Sequence, residues 1–181
     1  KFGREDESQF EMLTRLELTE TDFRKLKEHC EALSIDFLVT PFSPRWVNIL
    51  DQMGGNALKI GSGNLRTPHL LEVIGKTALP VILSTGMADL NDVDQAVTVL
   101  QTAGTTEMAV LHCVSLFPTA LEQANLYAIH TLAEHTALPV GFSDHTTELC
   151  TGALSVSAGA TILEKHLTLD KELDGPDHRI S

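Results

Sequence analysis

A chain of 181 residues with 43% hydrophobic content can bury a core and falls within the usual range for one domain. Thirteen Lys and Arg against 25 Asp and Glu give a net charge of -12, which argues against a nucleic-acid surface, because phosphate backbones are bound by clustered cations; a small anion needs only a locally basic pocket. Cys30, Cys113 and Cys150 form neither a CxxC pair nor a disulfide framework, no apolar run approaches the roughly 20 residues of a membrane span, and no signal-peptide pattern opens the chain, so a soluble cytoplasmic protein is expected.

In chain order, Thr19 and Asp22 form a capping-box-like start, and Phe23, Leu26, Cys30 and Leu33 follow at helical spacing, which predicts a helix. Residues 36–41 (DFLVTP) and 57–61 (ALKIG) read as the first two strands, and 67–76 as a helix. A strand at 80–84 (PVILS) precedes the apolar stripe of Leu90, Val93, Ala96, Val97 and Leu100, which predicts a helix closed by Gly104 as a left-handed cap. Strands at 108–113 (MAVLHC), 139–143 (PVGFS) and 161–166 (TILEKH) alternate with helices at 125–134 and 147–158. The near-continuous hydrophobicity of these six strands suits parallel strands covered on both faces. Repeated βα units with right-handed crossovers give either an open doubly wound sheet or a closed barrel.

Polar residues gather where the strands end: Thr40, Lys59 with Ser62, Ser84 with Thr85, His112 with Ser115, Ser143 with Asp144 and His145, and Glu164 with His166. In a barrel those ends form one rim, where catalytic side chains collect; the alternative is that strand ends are polar because loops are wet. His145 and His166 end consecutive strands, so their imidazoles can share a divalent metal if oxygen ligands complete the shell, although a pair of histidines is also compatible with ordinary hydrogen-bonded side chains. Lys59, Ser62 and two glycines in KIGSG combine a cation, a hydroxyl and approachable backbone suited to phosphate, or else form a glycine turn beside a snorkelling lysine. The string DGPDH at 174–178 reads first as a turn, with Asp177 as an acceptor for sugar hydroxyls in a functional reading. His112, Cys113 and His178 are weaker candidates.

Taken together, the strings TPF (40–42), KIGSG (59–63), ILSTGM (82–87), LHC (111–113), GFSDHT (141–146), EKH (164–166) and GPDH (175–178) resemble, in order and spacing, the N-acetylneuraminate (sialic acid) synthase family, whose relatives include legionaminic acid, pseudaminic acid and spore-coat synthases. The resemblance covers nearly the whole chain. It implies an α/β fold, a (β/α)8 TIM barrel of which six of eight βα units are present, spanning residues 1–181 as a partial synthase domain. The activity implied is transfer: phosphoenolpyruvate condenses with an N-acetylated hexosamine such as N-acetylmannosamine, yielding a nine-carbon 2-keto sugar acid and phosphate. By the same resemblance His145 and His166 bind a divalent metal, commonly Mn2+ with Mg2+ or Co2+ as alternatives. Thr40, Lys59, Ser62, Ser84 and Ser143 hold phosphoenolpyruvate, Asp177 contacts the amino-sugar, and Ser115 and Phe117 line the pocket. The full-length form is expected to be a homodimer.

Three departures from the family pattern stand out. Asn64 occupies the place of a carboxylate implied in proton transfer, and an amide is no base at neutral pH. Phe117 stands where relatives carry Tyr, and the loop at 118–122 lacks the usual second proline and aromatic. The family's first two strands, last helix and small C-terminal domain resembling antifreeze protein are expected to lie outside this chain. Two alternatives remain: another barrel aldolase or phosphoenolpyruvate-aldose synthase, with Lys59 or Lys165 as a Schiff-base lysine, and a truncated barrel that binds without turnover.

Overall fold

The structure, a computed structural model, describes residues 7–181. Two short helices come first, α1 (Gln9–Leu16) and α2 (Glu20–Ala32), each started by a capping box in which Ser8 pairs with Glu11 and Thr19 with Asp22. A third, α3 (Pro44–Gln52), begins with Ser43 as cap and Pro44 at its first position, where proline's missing N–H costs nothing. The strands and helices then alternate: β1 (Leu58–Ile60), α4 (Pro68–Gly75), β2 (Val81–Ser84), α5 (Leu90–Ala103), β3 (Met108–Cys113), α6 (Tyr127–Thr136), β4 (Val140–Asp144), α7 (Cys150–Ser157) and β5 (Ile162–Lys165).

All four strand pairs are parallel, and the order across the sheet is β1-β2-β3-β4-β5. A doubly wound sheet reverses its strand order at a switch point; here each strand is laid beside the one before it, so the sheet curls one way into a half-barrel with its helices outside. The strand expected at 36–41 is reduced to a single bridge, Val39 to Leu58, in which Lys59 N donates to Val39 O at 3.2 Å. The sheet therefore has five strands rather than six, because backbone of β conformation becomes a strand only where a neighbour supplies a ladder of hydrogen bonds. Helices α1 and α3 were not expected, though Ser8 with Glu11 and Ser43 with Pro44 are recognisable start signals.

The core lies between the convex face of the sheet and the helices. Leu58, Ile60, Val81, Leu83, Val110, Val140 and Phe142 point outward against Val47, Leu71, Ile74, Val93, Leu100 and Ile129, all buried. Helices α4 and α5 approach closely at Gly75, where a Cβ would lie 2.5 Å from that of Ala103. Helix α5 ends on Gly104 at φ 128°, a conformation that favours glycine, as the sequence predicts. Beyond β5, Leu167 and Leu169 are exposed, and no further strand pairs with β5 among the described residues. No helix among the described residues is long and apolar enough to cross a membrane.

Candidate active site

Side chains alternate across a strand, so the residues between the core positions point into the hollow of the half-barrel. Lys59, Ser84, Cys113, Ser143 and Glu164 do so from the ends of five neighbouring strands, and His145 and His166 continue the pattern just beyond β4 and β5. With Thr40, Ser62, Ser115, Phe117 and Asp177 from the adjoining loops they line a cleft of about 700 Å3. Every candidate singled out by resemblance is thus on one surface, except Asn64. Asn64 ends a 3-10 turn after β1, is not on the cleft wall, and keeps its Nδ2 buried without a hydrogen-bond partner among the described residues.

One end of the cleft gathers a lysine and several hydroxyls around Glu164. Gly86 N donates to Ser62 Oγ at 2.9 Å, tying the loops after β1 and β2 together. A Cβ on Gly86 would fall 2.3 Å from Ser115 Oγ and 2.8 Å from Ser62 Oγ, so only glycine lets those hydroxyls close in. Ser84 is 2% exposed and its Oγ has no partner among the described residues, a buried donor that a bound oxygen would satisfy. Lys59 Nζ lies 3.3 Å from Glu164 Oε1, and Ser143 Oγ donates to the same carboxylate oxygen at 2.6 Å.

The other end holds the imidazoles. His145 and His166 have ring centroids 5.5 Å apart, and Phe117 covers both, at 4.1 Å from the first and 5.9 Å from the second. His145 Nδ1 lies 2.8 Å from Val114 O. A carbonyl only accepts, so Nδ1 carries a proton, and Nε2 lies 3.4 Å from Ser143 Oγ. This is the arrangement of a metal-ligating histidine oriented through its second nitrogen. Burial works against the charged form of His145, but the Cys113 thiol and the Val114 carbonyl outweigh it and raise its pKa above the ordinary imidazole value. Burial likewise pushes the Cys113 thiol up, yet His145, Ser62 and Ser143 hold it below the usual range. His166 Nδ1 lies 3.8 Å from Asp177 Oδ2.

Two imidazoles with centroids 5.5 Å apart and nearby oxygen donors are of the chemistry that suits a divalent ion of borderline hardness. Among the described residues no group of three or more His, Cys, Asp or Glu is placed to hold a metal ion, so His145 and His166 would need other oxygen ligands to complete a shell. The weaker candidates separate cleanly. Cys113 lies on the cleft wall; His112 faces the core, stacks on Phe142 at 5.7 Å, and has its pKa lowered by burial against a partial countereffect from Ala124 O. His178 Nδ1 pairs with Thr168 Oγ1 at 2.7 Å in the terminal turn. Glu164, a strand-end polar residue to which no sequence motif gives a role, lies on the cleft wall, as period-two alternation from His166 requires. Phe42 and Met87, also unassigned, reach the same cleft.

Comparison with known proteins gives the arrangement a family. A profile described as the NeuB family matches residues 1–181. The uncharacterized protein MJ1065 of Methanocaldococcus jannaschii is 46% identical over 172 residues, covering 95% of this chain and 51% of that protein. The N,N'-diacetyllegionaminic acid synthase of Legionella pneumophila is 41% identical over 181 residues, covering 98% of this chain and 51% of that protein. Among solved structures, the N-acetylneuraminic acid (sialic acid) synthetase of Leptospira borgpetersenii serovar Hardjo-bovis, in complex with citrate, superposes with a TM-score of 0.90 at 36% identity, over 94% of this chain and 59% of that one. The chain spans about half the length of the curated relatives it matches.

Proposed function

The chain belongs to the NeuB family, and from that premise we propose that its cleft, within the whole protein, condenses phosphoenolpyruvate with an N-acetylated hexosamine to give a 2-keto sugar acid and phosphate. The observation that carries this reading is the meeting, in one cleft, of a lysine-and-hydroxyl cluster with a histidine pair, His145 Nε2 lying 3.4 Å from Ser143 Oγ. Lys59, Ser62, Ser84 and Thr40 neutralise and orient the phosphate and carboxylate of phosphoenolpyruvate. Glu164, which takes Lys59 and Ser143 in this structure, sets where the ammonium sits before substrate enters. Asp177 and Ser115 accept and donate to sugar hydroxyls, and Phe117 covers the imidazoles from water. His145 and His166 would hold a divalent ion, Mn2+ foremost, which would supply Lewis acidity toward the sugar aldehyde. In the overall reaction C3 of phosphoenolpyruvate bonds to the aldehyde carbon, water adds at C2, and the C2–O bond to phosphate breaks, returning the ketone.

The Schiff-base alternative requires a neutral lysine amine. Lys165 Nζ instead donates to Asp144 Oδ2 at 2.9 Å and to Thr146 O at 2.7 Å, and Lys59 sits beside Glu164, so both ammonium ions are held by acceptors. Borohydride reduction in the presence of pyruvate is expected to leave both lysines unmodified. Phosphate release from phosphoenolpyruvate with N-acetylmannosamine, or with a 2,4-diacetamido hexose, and Mn2+ is expected in the full-length protein. His145→Ala should abolish it. Turnover that survives loss of both histidines would overturn the metal assignment, and a trapped lysine adduct would replace the mechanism.

A further inference from the structure

Between the cleft residues of β4 and β5 lie Asp144, which points away from the cleft, and Lys165, which borders it. Ser143 pairs with Glu164 across the ladder and Asp144 with Lys165, so as Ser143, His145, Glu164 and His166 turn inward, Asp144 and Lys165 meet between the two strand ends. The Asp144 side chain is completely buried, and Lys165 is 25% exposed. Asp144 Oδ2 accepts from Lys165 Nζ at 2.9 Å and from Thr151 Oγ1 at 2.5 Å, while Oδ1 accepts from Thr146 N at 2.9 Å and Thr146 Oγ1 at 2.8 Å. Lys165 Nζ also donates to Thr146 O at 2.7 Å. Both the N–H and the carbonyl of Thr146, the residue after His145, are therefore held by this pair. From the other side, Thr119 N donates to His145 O at 2.9 Å.

A buried ion pair is a poor source of stability, since apolar residues of the same volume often serve as well, and its best-attested use is to specify one register against others. Here the register it fixes is that of the strand ends carrying the two imidazoles. We infer that Asp144 and Lys165 are positioning residues, a brace that holds the ends of β4 and β5 so that His145 and His166 converge as ligands of one ion. The inference rests on the metal reading of the histidine pair, and its test separates the two.

In the full-length protein, Asp144→Asn, Lys165→Met and Lys165→Arg are compared with Phe142→Leu, a core change on the same strand that lowers Tm without touching the brace. Mn2+ affinity is read from the electron paramagnetic resonance of free Mn2+, and imidazole geometry from the 15N–1H resonances of His145 and His166 without metal. Asp144→Asn and Lys165→Met should each weaken Mn2+ binding on the order of 10–100-fold and displace both sets of resonances. Lys165→Arg should restore most of the affinity, and Phe142→Leu should leave it unchanged. Wild-type affinity in the brace variants, or a loss no greater than in Phe142→Leu at equal Tm, overturns the inference. Should the wild type bind no Mn2+, the metal reading falls, and the resonances decide alone: displaced, the brace stands; unmoved, it does not. If Asp144→Asn does not fold, Lys165→Met carries the same comparison.

Discussion

On β4, Val140 and Phe142 face the helices while Gly141 and Ser143 face the cleft, and the same division runs through all five strands. From β1 to β4 the outward face is mostly apolar and buried; the inward face carries Lys59, Ser84, Cys113, Ser143 and Glu164 around about 700 Å3 of open space. Neighbouring residues in sequence thus serve different ends, and a one-residue slip of any strand would exchange them. The two faces should respond differently to substitution. Apolar outward changes, away from the Asp144 and Lys165 pair, should cost stability and affect ligands only through unfolding, and inward changes should do the reverse.

Phe142→Ala should have the largest effect. Phe142 is 2% exposed and stacks on His112, so truncation removes a large buried ring and leaves a cavity, costing about 3–5 kcal/mol. That is a large part of the 5–15 kcal/mol typical of whole domains. Chemical denaturation is expected to show the midpoint falling steeply, with ligand affinity of the remaining folded fraction unchanged. A weakened affinity in that fraction would mean the two faces are not independent.

Ser84→Ala tests the inward face. Its hydroxyl is buried and has no partner among the described residues, so removing it should leave stability equal or slightly higher. Phosphoenolpyruvate binding, measured by calorimetry, should weaken by about 1.5–3 kcal/mol, the value of a hydrogen bond to a charged group. Stability and affinity moving in opposite directions would be the clearest sign that this face was shaped for a ligand. A fall in Tm with unchanged affinity would place Ser84 among the structural residues instead.

Gly141 is where the division should break. It points inward, yet a Cβ there would lie 2.5 Å from Leu111 Cδ2, 2.6 Å from Ile162 O and 2.7 Å from Ile162 Cβ, so β5 or β3 must move. Gly141→Ala is expected to cost about 1–3 kcal/mol as overpacking. It should also weaken metal binding, because the displaced strand carries His166 beyond its end. Affinity preserved at lowered stability would show that β5 absorbs the shift before reaching its histidine.

Much of this division was legible from the chain. The spans of β3 and α5 follow directly from a short apolar run and from an apolar stripe ending at Gly104, since both signals are local. The cleft residues were legible as a set because strand ends in a barrel share a rim and because several strings matched one family in order. The 36–41 strand failed because its existence depends on a partner ladder, of which Val39 makes one rung. The pairing of Lys59 with Glu164, the Val114 carbonyl that sets the His145 tautomer, and the brace behind the histidines join residues 19–105 positions apart, beyond any local pattern. Asn64 was placed by resemblance alone, and the turn after β1 takes it off the cleft wall.

The smallest expected effect belongs to neither face. Arg66 Nη2, on the loop after β1, donates to Asp92 in the first turn of α5 and to Met87 O at 2.9 Å, linking two rim loops at the surface. The Arg66 hydrogen bond, helped by the Asp89 N–H, lowers the Asp92 carboxyl to about 2. A carboxyl depressed in the folded state contributes stability above its unfolded value, about 3.9, and loses that contribution as pH falls through about 2. In Arg66→Ala the Asp92 titration, followed by NMR, should move upward yet stop short of the ordinary value, because the Asp89 N–H remains. Arg66 is exposed and Asp92 partly so, so 1 M salt, with a Debye length of about 3 Å, should reproduce part of the shift in the wild type. Insensitivity to salt together with an unmoved titration would assign the depressed carboxyl to the helix cap alone, and the rim loops would then be joined only through Met87.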